Sequence, residues 1–207
     1  HLFDENSLYN PYLNYGISKM LMEKVVKKYN TKGDIESVII RPPWFYGPHQ
    51  PKRQNRFYNM IKNGSVPIVG DGQNKRSMAC TLNICQALIK SAIIENSNGK
   101  IFWIADKKPY TFHEIISTIR EVMVKEFKIK CIDDHIQLPS FISEIAYYFD
   151  KTIQWTGFYN QEIHVLSEMN KTIACSVIMA KKEINYNPNI DLYEGTVLSL
   201  KSQLGEF

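Results

Sequence analysis

The feature that most constrains the fold of this chain is the alternation of short apolar runs with longer amphipathic segments. The runs at 36–42 (ESVIIRP), 66–72 (VPIVGDG) and 100–105 (KIFWIA) are short and rich in β-branched or aromatic residues. Such runs are typical of strands buried on both faces of a sheet. Between them, apolar residues recur at helical spacing. Strands that alternate with helices predict an α/β fold with parallel strands.

Local signals predict where several helices begin. Residues 11–29 combine an apolar stripe with a proline in the first turn. A later helix opens with Thr111 and Glu114, which have the spacing of a capping box. Asn83 lies at the start of another amphipathic run and is a candidate N-cap. A final helix is predicted from about Tyr193.

Other segments have weaker signals. Residues 42–56 contain several prolines and a glycine, which predicts a loop. The run IKCI at 129–132 predicts a further strand, and residues 138–173 have a mostly helical pattern. No Gly-x-Gly-x-x-Gly turn follows a predicted strand anywhere in the sequence. The sequence therefore shows no pyrophosphate-binding turn of the dinucleotide-binding type.

Tyr15 and Lys19 lie four residues apart in the first predicted helix, so their side chains are neighbours on one face. An ammonium group next to a phenol stabilises the phenolate, which makes Tyr15 a candidate acid or base. Lys19 also has donors with which to hold the hydroxyls of a ribose. Such a pair also occurs by chance on many solvated helices, so the surrounding pattern decides between the two interpretations.

That pattern resembles a known family. The string PYLNYGISKMLMEKV at 11–25 is similar to the active-site helix of the extended short-chain dehydrogenase/reductases, the NAD-dependent epimerase/dehydratase family. The family has a Tyr-Gly-x-Ser-Lys core and a Glu four residues later, which here are Tyr15, Gly16, Ser18, Lys19 and Glu23. Further segments resemble the family in the same order: IIRPPWFYGPHQP, VGDGQNKRSMACTLNICQAL, GKIFWIADKKPYTFHEI and AKKEINYNP.

The resemblance implies an incomplete Rossmann-like, doubly wound parallel sheet plus a small mixed α/β substrate-binding region. It assigns residues 1–50 to the C-terminal part of the NAD(P)-binding Rossmann domain. Residues 51–207 would be mainly the substrate-binding region, with some segments returning to the Rossmann core. The sequence begins with His1, and we expect a fragment, inactive by itself, without the N-terminal half that carries the glycine-rich turn and the catalytic Ser or Thr.

The resemblance also implies a site for NAD or NADP. Tyr15 would be the catalytic residue that exchanges a proton with the substrate, and Lys19 would assist it and bind the cofactor ribose. The segment after the first strand would pass the nicotinamide, so Pro42, Trp44 and Phe45 are candidate cofactor contacts through backbone atoms. The residue that selects NAD over NADP is expected outside this sequence.

Three arginines are candidates for substrate binding. In family members that act on nucleotide sugars, the arginine at the position of Arg76 holds the diphosphate, and a guanidinium is a planar fork of donors that suits a phosphate. Arg53 and Arg56 lie where substrate loops of the family usually fall and could add to an anion site. Ser77 stands where the family usually has Asp, which weakens any transfer of substrate identity.

Composition argues against several other classes of protein. Lys and Arg total 25 and Asp and Glu total 21, and because they are interleaved we expect no nucleic-acid partner. The histidines and cysteines show no metal-ligand spacing, which predicts no metal site and thiols in a reducing compartment. No apolar run reaches the length of a membrane span. We therefore expect no membrane association and a cytoplasmic location.

The function predicted from the sequence is an NAD(P)-dependent epimerase/dehydratase-like oxidoreductase acting on a nucleotide sugar by Tyr15-assisted hydride transfer. In this family the helix that carries Tyr15 is a common homodimer surface. Two alternatives stay open. One is a dehydrogenase/reductase of the 3β-hydroxysteroid or dihydroflavonol type, which needs an apolar pocket in place of a phosphate clamp. The other is a non-catalytic fragment that acts as a binding module.

Overall fold

The computed structural model describes residues 2–205, and for Lys52 and Arg53 it describes the backbone alone. The helices are α1 Leu13–Thr31, α2 Lys52–Lys62, α3 Thr81–Ile93, α4 Phe112–Lys125, α5 Phe141–Trp155, α6 Gln161–Glu168, α7 Ile178–Ile184 and α8 Leu192–Leu204. The strands are β1 Ile39–Arg41, β2 Trp44–Tyr46, β3 Pro67–Val69, β4 Lys75–Arg76, β5 Met78–Cys80, β6 Ile101–Trp103, β7 Tyr110–Thr111 and β8 Ile136–Leu138.

Most strands pair in parallel with strands that are distant in sequence. β1 pairs with β6, β2 with β5 and β3 with β8, all in parallel, and helices lie between the paired strands along the chain. β4 and β7 form an antiparallel pair. In the first pair Ile39 lies opposite Ile101 and Arg41 lies opposite Trp103, so β1 and β6 end at the same edge. The predicted α/β class with parallel strands is confirmed.

Two clusters of buried side chains hold these elements together. The first lies between β6 and the helices α3 and α7, and its members include Ala87, Phe102, Ile104, Ala180, Ile184 and Tyr186. Val38 and Ile40 pack against this cluster from the β1 segment. The second joins α2, α4 and α8 to β2, β3 and β5, and its members include Ile61, Ile68, Met78, Ile115, Ile119, Val122 and Leu192. The division into domains at residue 50 stays a prediction.

Helix α1 lies on the surface, with much of its apolar stripe exposed. Glu23 is the buried residue of this helix. In contrast, Leu21 and Met22 are each 52% exposed, and Val25 is 54% exposed. The helix bounds agree with the predicted range 11–29 to within two residues at each end. The stripe that would bury an amphipathic helix against a core is therefore left largely uncovered by the described residues.

The predicted loop over 42–56 is wrong at two places. Trp44–Tyr46 forms β2, because its backbone pairs in register with Met78–Cys80. The helix α2 begins within the predicted loop, directly after its N-cap Pro51. The prolines of this segment border regular elements instead of excluding them, which agrees with the tolerance of proline at helix starts and strand ends.

The predicted strand at 129–132 is not formed. Ile132 donates its backbone N–H to the carbonyl oxygen of Lys62 at 2.9 Å, so this stretch is joined to the end of α2. The strand that pairs with β3 is β8, a few residues later. A short apolar run with β propensity was therefore overridden by the partner that the tertiary structure offers.

Asn83 does not cap α3. The helix begins at Thr81, with Cys80 as its N-cap, which places Asn83 inside the first turn. Its buried amide donates to the carbonyl oxygen of Ile190 at 2.7 Å and to Asp106 Oδ1 at 3.2 Å. The side chain thus joins distant segments instead of closing its own helix.

Other local predictions are confirmed. The Glu114 N–H donates to Thr111 Oγ1 at 3.0 Å, and the Thr111 N–H donates to Glu114 Oε2 at 2.6 Å, which completes the capping box. The final helix α8 begins after Asp191, whose side chain accepts the Glu194 N–H. Between residues 2 and 205, no helix has the length and apolar composition needed to cross a membrane.

Candidate active site

The structure brings Tyr15 and Lys19 together near the start of α1. The Lys19 ammonium nitrogen lies over the phenol, 5.6 Å from the ring centroid. Tyr15 is 62% exposed, and Lys19 is exposed as well. A cation over an aromatic face is attracted by the ring, so the two side chains form a pair that is open to a ligand.

Glu23, one turn beyond Lys19, fixes the helix to the end of β1. Arg41, the last residue of β1, donates from Nε to Glu23 Oε1 at 2.9 Å and from Nη2 to Glu23 Oε2 at 2.5 Å. The Tyr9 hydroxyl donates to the same carboxylate at 2.7 Å. The Arg41 guanidinium lies over the rings of Tyr9 and Trp103, 5.2 Å from each centroid. A bidentate ion pair of this kind forms only when the planar guanidinium and the carboxylate are held in a specific relative orientation.

Hydrogen bonds within this ion pair favour the charged forms of Glu23 and Arg41. Burial alone favours the neutral acid, but hydrogen bonds from Arg41 and Tyr9 hold the pKa of Glu23 below its usual value. Tyr15, Lys19 and Glu23 stand at i, i+4 and i+8, so they lie along one face of α1. Since Glu23 contacts the carboxyl end of β1, this face runs toward the edge where open α/β sheets bind ligands.

Part of the segment that follows β1 packs against other side chains of the protein. Pro42 is exposed. Trp44 donates from Nε1 to Gln54 Oε1 at 3.1 Å, and its ring centroid lies 5.1 Å from that of Phe57. The carbonyl oxygen of Phe45 accepts from Gln54 Nε2 at 3.3 Å. The Trp44 side chain is thus committed to the core, and a cofactor contact here would be made by backbone atoms.

Among the described residues, the Arg76 side chain makes one hydrogen bond, so its guanidinium has further donors for a ligand. It donates from Nη2 to the carbonyl oxygen of Glu168 at 2.5 Å. Within the part of the chain that the structure describes, it forms no ion pair. Burial lowers the pKa of Arg76, against the opposing effect of the Glu168 charge. A partly buried cation without a carboxylate partner is costly unless a ligand supplies the opposite charge.

The other two arginine candidates differ from Arg76. Arg56 pairs with Glu162 through Nη1 and Oε1 at 2.5 Å, and both side chains are well exposed. The side chain of Arg53 lies outside the described residues. Arg56 and Arg76 both contact α6, because Glu162 and Glu168 belong to this helix. The same helix reaches the start of α1, because the Tyr12 hydroxyl donates to Ser167 Oγ at 2.7 Å.

Sequence reasoning missed a buried acid at the end of β6. Asp106 is 3% exposed and accepts hydrogen bonds from the Tyr46 hydroxyl at 2.7 Å and the Cys80 N–H at 3.2 Å. Burial raises the pKa of Asp106 to about 6, although these hydrogen bonds act against it. Burial and the neighbouring Asp106 also raise the pKa of Tyr46. An acidic residue directly after an apolar strand run is the signal that could have found it.

Comparison with known proteins shows which family the chain belongs to. The model of the NAD dependent epimerase/dehydratase family matches residues 2–105, about half of the chain. The chain belongs to this family. The matched range of the epimerase/dehydratase family includes the Tyr15–Lys19 pair, the Glu23–Arg41 ion pair and Arg76, so the resemblance drawn from the motifs is confirmed.

Relatives of this epimerase/dehydratase chain are longer than it is. It is 46% identical over 196 residues to the uncharacterized protein y4nL of Sinorhizobium fredii, covering 94% of this chain and 55% of that protein. It is 28% identical over 132 residues to N-acetyl-alpha-D-glucosaminyl-diphospho-ditrans,octacis-undecaprenol 4-epimerase of Escherichia coli O157:H7, covering 61% and 39% respectively. The chain therefore spans about half, or less, of the length of these relatives.

A solved structure shows the same fold. UDP-glucuronic acid 4-epimerase of Bacillus cereus, in complex with UDP-glucuronic acid and NAD, aligns with 100% of this chain and 57% of its own chain. The TM-score is 0.74 at 18% sequence identity. This likeness supports a Rossmann-like epimerase/dehydratase fold for the described residues.

Proposed function

We propose that this chain carries the proton-transfer and substrate-binding residues of an NAD(P)-dependent enzyme that acts on a sugar diphosphate, most simply a nucleotide sugar. The observation that carries the proposal is the exposed Tyr15–Lys19 pair, on a helix face that Glu23 ties to the carboxyl end of β1. Family membership supports the same interpretation.

The donors on this helix face fit the nicotinamide side of a dinucleotide. Lys19 offers an exposed ammonium group that suits the ribose hydroxyls, and backbone groups around Pro42 border the same strand end. NAD or NADP, when bound, supplies a hydride acceptor. No glycine-rich turn for the pyrophosphate is present in these 207 residues, so the fit concerns the ribose and nicotinamide alone.

The chain's own residues would divide the chemistry between them. Tyr15 takes the proton of a sugar hydroxyl as the carbon that bears this hydroxyl is oxidised, and returns it when the carbonyl is reduced. Lys19 places a positive charge beside the phenol, which stabilises negative charge on Tyr15 during the transfer. Arg76 supplies guanidinium donors to the diphosphate. Whether the outcome is epimerisation, dehydration or plain oxidation depends on the substrate.

Exchange of Tyr15 for Phe tests the proposed activity. The complete gene product would be assayed with NAD⁺ or NADP⁺ against UDP-glucose, UDP-glucuronic acid and an N-acetylglucosaminyl diphospholipid, with products identified by NMR. We expect turnover of at least one sugar diphosphate, and a fall in kcat of about 10²- to 10⁴-fold for Tyr15→Phe, because acid–base catalysis is lost. Full activity of Tyr15→Phe, or no turnover of any member of the panel, would overturn the proposal.

Exchange of Arg76 for Ala tests the substrate class. Since a hydrogen bond to a charged group contributes about 1.5–3 kcal/mol, we expect roughly 10- to 100-fold weaker binding of UDP-glucuronic acid, measured by calorimetry. Lys62→Ala, which removes an exposed cation from the end of α2, serves as the control and should bind as the wild type does. Unchanged binding by Arg76→Ala would argue against a diphosphate clamp and for a dehydrogenase with an apolar substrate.

A further inference from the structure

A buried polar cluster lies between α5 and α6, outside the site described above. Asp150 is fully buried, Gln154 is 6% exposed and His164 is 8% exposed. Asp150 Oδ2 lies 2.7 Å from His164 Nδ1, and Asp150 Oδ1 accepts from Gln154 Nε2 at 2.9 Å. The three buried polar side chains satisfy one another by hydrogen bonds, which offsets the cost of burying them. Whether the cluster does more than join two helices depends on what else it contacts.

The cluster ends at the first turn of α1, the helix that carries Tyr15. Gln154 Oε1 accepts the backbone N–H of Asn14 at 3.1 Å, and the Asn14 amide donates to the carbonyl oxygen of Gln154 at 3.4 Å. The first N–H groups of any helix have no partner within the helix. The N-cap residue Tyr12 makes no capping hydrogen bond with its side chain. The acceptor for Asn14 therefore comes from α5, 140 residues along the chain.

The backbone at this turn is held in a strained conformation. Leu13 has φ of 49°, a left-handed value that leucine seldom adopts. Such a residue persists when its surroundings fix it. Tyr12, just before it, is bound to Ser167 of α6 through its hydroxyl, and Asn14, just after it, is bound to Gln154. The α5–α6 pair thus holds both sides of the strained residue, which lies two positions before Tyr15.

The chemistry of the cluster also fixes which way the Gln154 amide points. The backbone N–H of Asn14 can only donate, so it requires the amide oxygen of Gln154. The amide nitrogen of Gln154 is then left to donate to Asp150 Oδ1. His164 occupies the other oxygen of Asp150 and keeps that carboxylate in place.

We propose that Gln154, oriented by Asp150 and His164, is a positioning residue that fixes the first turn of α1 and with it the Tyr15 hydroxyl. The catalytic consequence rests on the function proposed above. The anchoring of the turn does not, since it follows from the hydrogen bonds of this chain alone.

The first test is hydrogen exchange of the backbone amides of residues 14–16 in the complete gene product. Gln154→Met keeps the size of the side chain but removes the acceptor, so the Asn14 amide should exchange about tenfold faster. Gln161→Met, an exposed change at the start of α6, is the matched control and should leave exchange unchanged. If the Asn14 amide in Gln154→Met exchanges as in the wild type, Gln154 does not fix the turn.

A second test separates positioning from a general loss of stability. Asp150→Asn combined with Gln154→Glu exchanges the two functional groups, so the new amide donates to the new carboxylate, which still accepts the Asn14 N–H. We expect each single variant to exchange faster at residues 14–16 and the double variant to recover wild-type exchange. Failure of the double variant to recover, while its melting temperature matches the wild type, would overturn the proposal.

The effect of Gln154 on catalysis is tested by measuring kcat and KM. A misplaced Tyr15 should lower kcat by about 10- to 100-fold and leave KM within about twofold in Gln154→Met, with recovery in the double variant. A wild-type kcat together with fast exchange would show that the turn is anchored but irrelevant to the reaction, and would overturn the positioning role. Absence of turnover in every protein, wild type included, would defeat the proposed function, while the exchange data would still decide the anchoring.

Discussion

At the scale of single residues, charged and polar side chains of this chain are fixed by partners that lie far away in sequence. Glu23 is held by Arg41 and Tyr9, and Arg41 lies over the rings of Tyr9 and Trp103. The motif spacing predicted that Tyr15 and Lys19 would meet, because four residues make one turn. The place of Asp106 after an apolar run is visible in the sequence, but its burial depends on where Tyr46 and Cys80 come to lie.

Asp106 makes the stability of the protein depend on pH. Its pKa is raised by burial from 3.8 to about 6 in the folded protein, so the folded state binds the proton more tightly than the unfolded chain. Lowering the pH from about 7 to about 4 should therefore stabilise the fold through this group, by up to about 3 kcal/mol.

Asp106→Asn removes this contribution. Urea unfolding at a series of pH values should show that the wild type gains stability relative to Asp106→Asn as the pH falls through this window. Asp34→Asn, at an exposed position, is the control. A wild-type advantage that stays constant with pH would show that Asp106 does not titrate in this range.

At the scale of elements, local signals succeeded where the chain satisfies its own hydrogen bonds. The capping box at Thr111 and Glu114 formed as predicted because both partners lie within one turn. The strand β2 was missed, and the strand at 129–132 was wrongly predicted, because the backbone partners of both segments are distant. β2 needs β5, and Ile132 donates to Lys62. The secondary-structure propensity of a segment does not show which distant residues its backbone will pair with.

The capping box should contribute measurably to stability. Thr111→Ala removes the acceptor of the Glu114 N–H and should lower the free energy of unfolding by about 1 kcal/mol. Thr152→Ala offers a comparison within α5, where the hydroxyl only donates to the preceding turn at Tyr148, and should change stability by a few tenths of a kcal/mol. Equal effects of the two changes in chemical denaturation would mean that the box is not a significant part of the stability of α4.

At the scale of the whole molecule, α1 leaves a row of apolar side chains exposed among the described residues. Ile17, Leu21, Val25 and Tyr29 follow each other at intervals of four residues and are 41%, 52%, 54% and 45% exposed. A continuous exposed apolar stripe is typical of a surface that another chain or segment covers. The sequence showed the stripe, but only the fold shows that the described residues leave it open.

We expect the chain, when expressed as these 207 residues, to self-associate through this stripe. Sedimentation velocity should show concentration-dependent association, and Leu21→Lys with Val25→Lys should suppress it because buried cations oppose the contact. Ile89→Lys with Ile93→Lys places the same charges at the same spacing on exposed positions of α3. Equal suppression by both pairs would indicate general stickiness instead of an α1 interface.

Hydride transfer in the complete gene product can be measured directly with an isotope-labelled substrate. A sugar diphosphate from the panel, carrying deuterium at the carbon to be oxidised, would be mixed with NAD⁺ or NADP⁺, and reduced nicotinamide followed by its absorbance. We expect nicotinamide reduction, transient where the hydride returns to the sugar, that deuterium slows and that falls by about 10²- to 10⁴-fold in Tyr15→Phe. Reduction at the wild-type rate in Tyr15→Phe, or none with any substrate in the wild type, would contradict Tyr15-assisted hydride transfer.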